Sequence, residues 1–353
     1  MAMNSRSLSL ATKPGATLRI STFFPQSAAE QASFSSSSSS SSSHSSSSSH
    51  SSSSPSNITL VVFLNGLVLP RSAWFETVDL FIKRRQDTGR AIPALLCYDR
   101  YGQGDSDPDP SDAPGTPYGH DATAVVADLH QLIVQISQDD LKLSLADHTI
   151  RITFICNSIG CALARLYAAE HPGLVEAYLF LDSMMANSDF VSVFPDPDAA
   201  EFDAGQLPQD VSVEDLRHTR EMYTKFFQPS VPNGERFDRR RLAKQLPYAD
   251  QPVLPPGPRE GIPPRLVVVG HDWDEFAKQS EEGSLSVPKP VTNAYMNPAW
   301  GAYNEGLTRL AAAGDGSRSG EVKIAKGCGH FIQKDDPAFV AAEIDSLLQS
   351  LGE

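Results

Sequence analysis

One short stretch restricts the fold more than any other. Cys156-Asn157-Ser158-Ile159-Gly160 joins a β-branched apolar run, Ile150 to Ile155, directly to a helical pattern from Ile159 to Glu170. With no linker between them, a strand must turn sharply into a helix, as happens where helices cover a sheet. A serine at that apex has its Oγ pushed out of the sheet edge. The helix behind it directs backbone N–H groups at any anion forming there. Gly160, two residues on, lets the helix pack closely against a neighbouring strand. These are the needs of a nucleophile; the same five residues also suit a surface serine that caps a helix.

The rest of the chain repeats the strand-then-helix pattern. Thr59 to Leu64, Ala94 to Tyr98, Tyr178 to Leu181, Arg265 to Val269 and Glu321 to Ala325 read as strands, several of them continuous apolar runs of the kind buried on both faces. Thr17 to Phe24 reads as a first strand. Between strands, Val125, Leu129, Leu132, Ile133 and Ile136 fall on one helical face. Near the end, Asp336 is placed to cap a helix that starts at Pro337 and buries Phe339, Val340, Ile344, Leu347, Leu348 and Leu351. The pattern predicts an α/β fold: a mostly parallel central sheet with helices on both faces. No internal repeat is present.

The ordered set of motifs resembles the α/β-hydrolase superfamily over roughly residues 58 to 353. Cys156 to Gly160 is similar to its nucleophile elbow, with cysteine where glycine is usual. Gly327-Cys328-Gly329-His330-Phe331 is similar to the loop that presents the catalytic histidine, and His330 is the only histidine beyond Asp272. Asn65-Gly66-Leu67, after the Thr59–Leu64 strand, resembles the His-Gly-x segment whose third residue donates one backbone N–H to the oxyanion hole. Asp99-Arg100-Tyr101-Gly102-Gln103-Gly104-Asp105-Ser106 is similar to the superfamily's glycine-rich strand-to-helix turn. A dinucleotide reading of GQG is poor, because Asp105 and Asp107 would repel a pyrophosphate.

The resemblance implies a triad in the chain order serine, acid, histidine: Ser158 as nucleophile, His330 as base, and the backbone amides of Leu67 and Ile159 as the oxyanion hole. Three carboxylates compete for the acid. Asp272 is preferred, being nearest the end of the Arg265–Val269 strand; Asp274 fits a helix cap, and Asp182 follows the preceding strand. Cys97, Cys156, Cys161 and Cys328 have no metal spacing and read as reduced packing residues.

Residues 186–264 interrupt the alternation and return through the proline-rich stretch Pro252 to Pro264. In the resembled superfamily an insertion here is a helical cap over the active site. A helix over Val213 to Gln228 is its clearest element, and Phe190, Phe194 and Phe202 are candidate cavity residues. The core is then 58–185 with 265–353. Residues 1–57 supply the first strand and a serine-rich tract, 35–54, too polar to bury apolar surface and expected to be a disordered loop.

A formal net charge of −14 argues against nucleic acid or an anionic membrane as partner. The longest apolar stretch, Ile58 to Pro70, is too short to span a bilayer. With no secretory segment and little basic amphipathic character at the start, a cytoplasmic location is favoured over an organelle transit peptide.

The expected function is a serine hydrolase cleaving an uncharged, hydrophobic carboxylic ester or lactone through an acyl-enzyme, with a small-molecule substrate and no metal or organic cofactor. Thioester hydrolysis, acyl transfer, C–C hydrolysis and aminopeptidase activity use the same apparatus. For a peptidase, Glu201, Asp203 and Glu214 could meet the substrate amine. A non-catalytic small-molecule receptor on the hydrolase scaffold is the alternative from another class.

Overall fold

The computed structural model describes residues 3–25, 58–147, 149–259, 261–311 and 320–353. The serine tract at 35–54, and with it much of the expected 1–57 segment, lies outside the described residues.

Among the described residues eight strands form one sheet: β1 (Asn4–Leu8), β2 (Leu18–Phe23), β3 (Ile58–Leu64), β4 (Ala94–Tyr98), β5 (Ile150–Asn157), β6 (Val175–Leu181), β7 (Arg265–His271) and β8 (Lys323–Ala325). Their spatial order is β1-β2-β4-β3-β5-β6-β7-β8. β1 pairs antiparallel with β2, and β2 with β4; every later pairing is parallel. The expected first strand at Thr17–Phe24 is β2. β1 was not anticipated, since its NSRSL sequence is polar and half exposed at the sheet edge.

The continuous apolar runs are explained by burial on both faces. Leu60, Val62 and Leu64 of β3 enter one core, while Val61 and Phe63 enter the other. Among the described residues, seven helices of ten residues or more cover the sheet or lie beside it: α1 (Phe75–Asp87), α2 (Ala122–Asp139), α3 (Ile159–Glu170), α4 (Val213–Phe226), α5 (Trp273–Glu282), α6 (Asn297–Thr308) and α7 (Pro337–Ser350). The apolar faces of α2 and α3 join the first core, those of α1 and α7 the second. At α7 the Asp336 carboxylate accepts from Phe339 N and Pro337 occupies the first turn. The expected α4 helix is closed by a reciprocal Ser212–Asp215 capping box.

The chain leaves β3 for β4 on one side, then returns to place β5 on the other. Such a reversal of strand order opens a crevice at the carboxyl ends of the strands. Asn65-Gly66-Leu67 and Ser158 follow β3 and β5 and so meet there.

Candidate active site

Ser158 sits between β5 and α3 with φ 56 and ψ −123, a conformation that turns the chain abruptly and that non-glycine residues seldom adopt. Gly160 makes the turn possible. A Cβ there would lie 2.4 Å from the Leu64 carbonyl oxygen, so α3 can approach β3 this closely only without a side chain. Cys156 replaces the usual glycine without disturbing the turn, because its side chain packs wholly in the core. Burial, reinforced by Cys161, pushes its thiol well above the ordinary range. It is a packing residue, as its position on the strand suggests.

The residue between them holds two loops together. Asn157 Nδ2 donates to the carbonyls of Leu181 and His330, both at 3.0 Å, and its Oδ1 accepts from Gln333 Nε2 at 3.2 Å. The serine turn, the end of β6 and the histidine loop are thereby fixed to one side chain.

Asn65-Gly66-Leu67 is fixed by a buried polar cluster. Asn65 Nδ2 donates to the Tyr98 carbonyl and to Gln103 Oε1, each at 2.8 Å, and its Oδ1 accepts from Trp74 Nε1 at 2.8 Å. Arg100 donates to the carbonyls of Asn65 and Gly66, both at 2.8 Å, and Gln103 Nε2 adds a bond to the Gly66 carbonyl at 2.9 Å. In a trans peptide the N–H points opposite to the C=O. Turning the Gly66 carbonyl into Arg100 and Gln103 therefore turns the Leu67 N–H away from them. A Cβ on Gly66 would lie 3.3 Å from Ser158 Cβ, so this loop lies against the serine. Ile159 begins α3, where an N–H lacks an intrahelical acceptor.

Glu235, from the segment between β6 and β7, closes the cluster. Its carboxylate receives Arg100 Nε and Nη2 at 3.0 Å and Gln103 Nε2 at 2.9 Å. Burial pushes this carboxyl up to about 7 against the pull of Arg100. Gly102, at φ 77, could carry no side chain, since a Cβ would fall 2.8 Å from the Glu235 carbonyl. The sequence reading assigned the Asp99–Ser106 turn only its glycines; the roles of Arg100, Gln103 and Glu235 depend on partners distant in the chain.

The acid is where expectation and geometry part. His330 Nδ1 lies 2.6 Å from Asp182 Oδ2. Asp182 is fully buried and follows β6 with φ 44, its backbone N–H held by the Val269 carbonyl at 2.7 Å. The preferred candidate, Asp272, does not meet His330. Its carboxylate caps α5 through Asp274 N at 3.1 Å and receives Gly327 N at 3.2 Å. It thus does the capping expected of Asp274, and it steadies the histidine loop through that loop's backbone. Asp274 is exposed and pairs with Lys289 at 3.2 Å.

Burial alone would raise the Asp182 pKa. The charges and hydrogen bonds of His271 and His330 reverse this and hold the carboxyl far below the ordinary range. The first of these contacts, His271 Nδ1 to Asp182 Oδ1 at 2.9 Å, was not anticipated.

Ser158, Ile159, Leu67 and His330 open on one cavity of about 440 Å³. Since Nδ1 of His330 is committed to Asp182, Nε2 is the ring nitrogen left free of that carboxylate. The wall is mainly apolar, with Phe190, Tyr223, Phe226 and Phe227 from one side and Phe276, Leu285 and Trp300 from another. Of the three expected phenylalanines only Phe190 lines the cavity; Phe194 is buried against Tyr223, with ring centroids 4.8 Å apart. Phe276, Leu285 and Trp300 belong to the β7–β8 connection, which the sequence reading left out of the cover.

No carboxylate is among the described residues lining the cavity, and Glu201, Asp203 and Glu214 all lie off it. Asp109, Asp112 and His120 bring ligand atoms within 4.8 Å of one another, also off the cavity. Lys13 Nζ, 2.6 Å from Asp109, and Arg236, 3.8 Å from Asp112, already neutralise these carboxylates. Among the described residues no helix is long and apolar enough to cross a membrane.

Comparison with known proteins agrees with this architecture. No curated protein sequence matches the chain. Among solved structures it is similar to that of VrEH2, at 12% identity, covering 99% of each chain, with a TM-score of 0.52. It is also similar to a Vigna radiata epoxide hydrolase mutant, at 11% identity over 99% of each chain, TM-score 0.51. A third is a putative lipase from Acinetobacter baumannii AYE, at 13% identity over 99% of this chain and 92% of that one, TM-score 0.49. For the first two, the likeness at such identities is one of fold. A family model described as the alpha/beta hydrolase family matches residues 61–343. By that match, which takes in every strand from β4 to β8 and most of β3, the chain belongs to the alpha/beta hydrolase family.

Proposed function

We propose that the protein is a serine hydrolase that cleaves an uncharged, hydrophobic carboxylic ester or lactone through an acyl-enzyme. The observation that carries this reading is His330, tied at Nδ1 to a buried Asp182 while it faces the cavity that Ser158 also lines. An ionised carboxylate at Nδ1 places the ring proton there, so Nε2 bears the lone pair that a general base needs. His330 takes the Ser158 proton as Oγ attacks the carbonyl, and Asp182 stabilises the imidazolium that forms. Leu67 and Ile159 amides receive the oxyanion, His330 returns the proton to the leaving alcohol, and water repeats the sequence to release the acid.

The substrate class is read from the wall. Residues 186–264 are taken as a cap that, with the β7–β8 connection, covers the serine with aromatic side chains. An ammonium group would find no carboxylate in the cavity, which disfavours an aminopeptidase. A serine rather than an aspartate at position 158 disfavours epoxide opening through an alkyl-enzyme ester. The test is a panel of p-nitrophenyl esters, thioesters and lactones of increasing acyl length. Turnover should rise with acyl length until the cavity is filled. Tight binding with no turnover and no fluorophosphonate labelling of Ser158 would instead make the protein a receptor.

A further inference from the structure

His271 is the last residue of β7 and is 2% exposed, and both of its ring nitrogens are engaged. Nδ1 lies 2.9 Å from Asp182 Oδ1, and Nε2 lies 3.0 Å from Asn297 Oδ1. The Asn297 amide cannot be turned the other way. Its nitrogen lies 3.0 Å from the Trp273 carbonyl, which can only accept, and 2.7 Å from Asn293 Oδ1. The amide oxygen therefore faces His271, and an oxygen with no proton of its own needs a donor at Nε2. A carboxylate at Nδ1 needs a second donor. A neutral imidazole has one N–H and cannot satisfy both.

We propose that His271 is a buried imidazolium, protonated on both ring nitrogens at neutral pH, that shares Asp182 with His330 and sets the acidic limit of the activity. This rests on the triad proposed above. His271 is a positioning residue: it touches Asp182, not the substrate. Its own N–H gives Asp182 Oδ1 a further bond at 3.3 Å, so one side of the carboxylate is held by His271 alone. The other oxygen is left to His330.

The surroundings favour the charged ring. Phe276 stacks on it with centroids 4.2 Å apart, and Trp300 meets it edge-on at 5.6 Å. Burial among these rings pulls the His271 pKa down, but the Asp182 charge and the two hydrogen bonds outweigh it and leave the ring above the ordinary histidine range. The ionisable groups facing it are Asp182 from the end of β6, Asp272 beside it in the chain, and His330 across Asp182. Asp272 adds to the stabilisation, with Lys326 at 3.8 Å partly offsetting its charge.

The functional consequence follows from charge. With His271 protonated, its pair with Asp182 is neutral, and catalysis places a second cation on the opposite carboxylate oxygen. That repulsion opposes the build-up of charge on His330 and is relieved as its proton passes to the leaving group.

His271→Gln removes the charge while keeping an N–H donor within reach of Asp182. The acidic limb of the pH profile of kcat/KM should move up by about 1 pH unit, on the order expected for a unit charge at close range in a partly buried site. A merely structural role would lower the amplitude and leave the limb in place. The wild-type protein supplies a second readout that survives a variant that fails to fold. In a ¹H–¹⁵N spectrum of histidine-labelled protein at about pH 7, both His271 ring nitrogens should carry protons. An unprotonated Nε2, or an unmoved limb in folded His271→Gln, overturns the proposal. If the protein turns over no ester, the hydrolase reading fails, yet the spectrum still decides the charge on His271.

Discussion

Asp182→Asn should cripple turnover while the chain still folds. Asparagine keeps the size of the side chain, but an amide nitrogen or a weaker carbonyl acceptor replaces the carboxylate oxygen 2.6 Å from His330 Nδ1. If the amide nitrogen faces His330, it donates to Nδ1 and forces the ring proton to Nε2, toward Ser158, where a base is needed. Loss of the correct tautomer in such a triad costs about 10⁴ in kcat, equivalent to about 5.5 kcal/mol of transition-state stabilisation. Asp272→Asn is the control. Its carboxylate contacts are backbone N–H groups of Asp274 and Gly327, which an asparagine oxygen can still receive one at a time, and asparagine caps helices as well as aspartate. Activity should fall less than about tenfold, with a stability loss of about 1 kcal/mol. Steady-state kinetics on a p-nitrophenyl ester, with circular dichroism to verify folding, distinguishes the two. A crippled Asp272→Asn beside a nearly normal Asp182→Asn would refute the reasoning.

The same carboxylate predicts a pH dependence of stability. The folded pKa of Asp182 lies below its unfolded value, so its contribution is full above about pH 4 and is lost as the pH falls through the acid range. The gap in urea-unfolding stability between wild type and Asp182→Asn should therefore shrink from about pH 6 to pH 3; a constant gap would contradict it. Glu235→Gln leaves Arg100 buried without its countercharge, at a cost of about 3–5 kcal/mol, and loosens the Leu67 loop enough to lower kcat by about 10²; unchanged kcat would detach Glu235 from the site. Gly160→Ala drives a methyl against the Leu64 carbonyl and should destabilise by about 1–3 kcal/mol with loss of activity, measured by thermal unfolding and ester turnover. Phe227→Ala, at the cavity wall, should raise KM for long acyl esters by about tenfold and leave acetate esters nearly unaffected.

Much of this architecture is legible along the chain. β3 through β7 announce themselves because strands buried on both faces must be continuously apolar, and the serine turn is visible because strand and helix patterns abut. β1 is not, since an edge strand exposed along much of its length needs no apolar pattern. The carboxylate that meets His330 was not the expected one, for a related reason. Asp182 and Asp272 both follow strands, and only the third dimension shows that φ 44 at Asp182 turns its carboxylate to His330 while Asp272 is drawn into an α5 cap. Part of the cavity wall was missed because Phe276 and Trp300 lie on helices after β7, whose apolar faces look locally like ordinary packing. His271 and Asn297 carry no motif at all. Their meaning resides in hydrogen-bond direction, which requires knowing what each amide atom touches.

The most direct test of the account is the chemistry of Ser158 itself. A fluorophosphonate should add covalently to the protein, and peptide mass mapping should place the adduct on Ser158 and nowhere else. Ser158→Ala should fold as wild type, take up no label, and lose turnover by about 10⁴ to 10⁶. An adduct on another residue, or ester turnover retained in folded Ser158→Ala, would contradict the claim that this serine is the nucleophile.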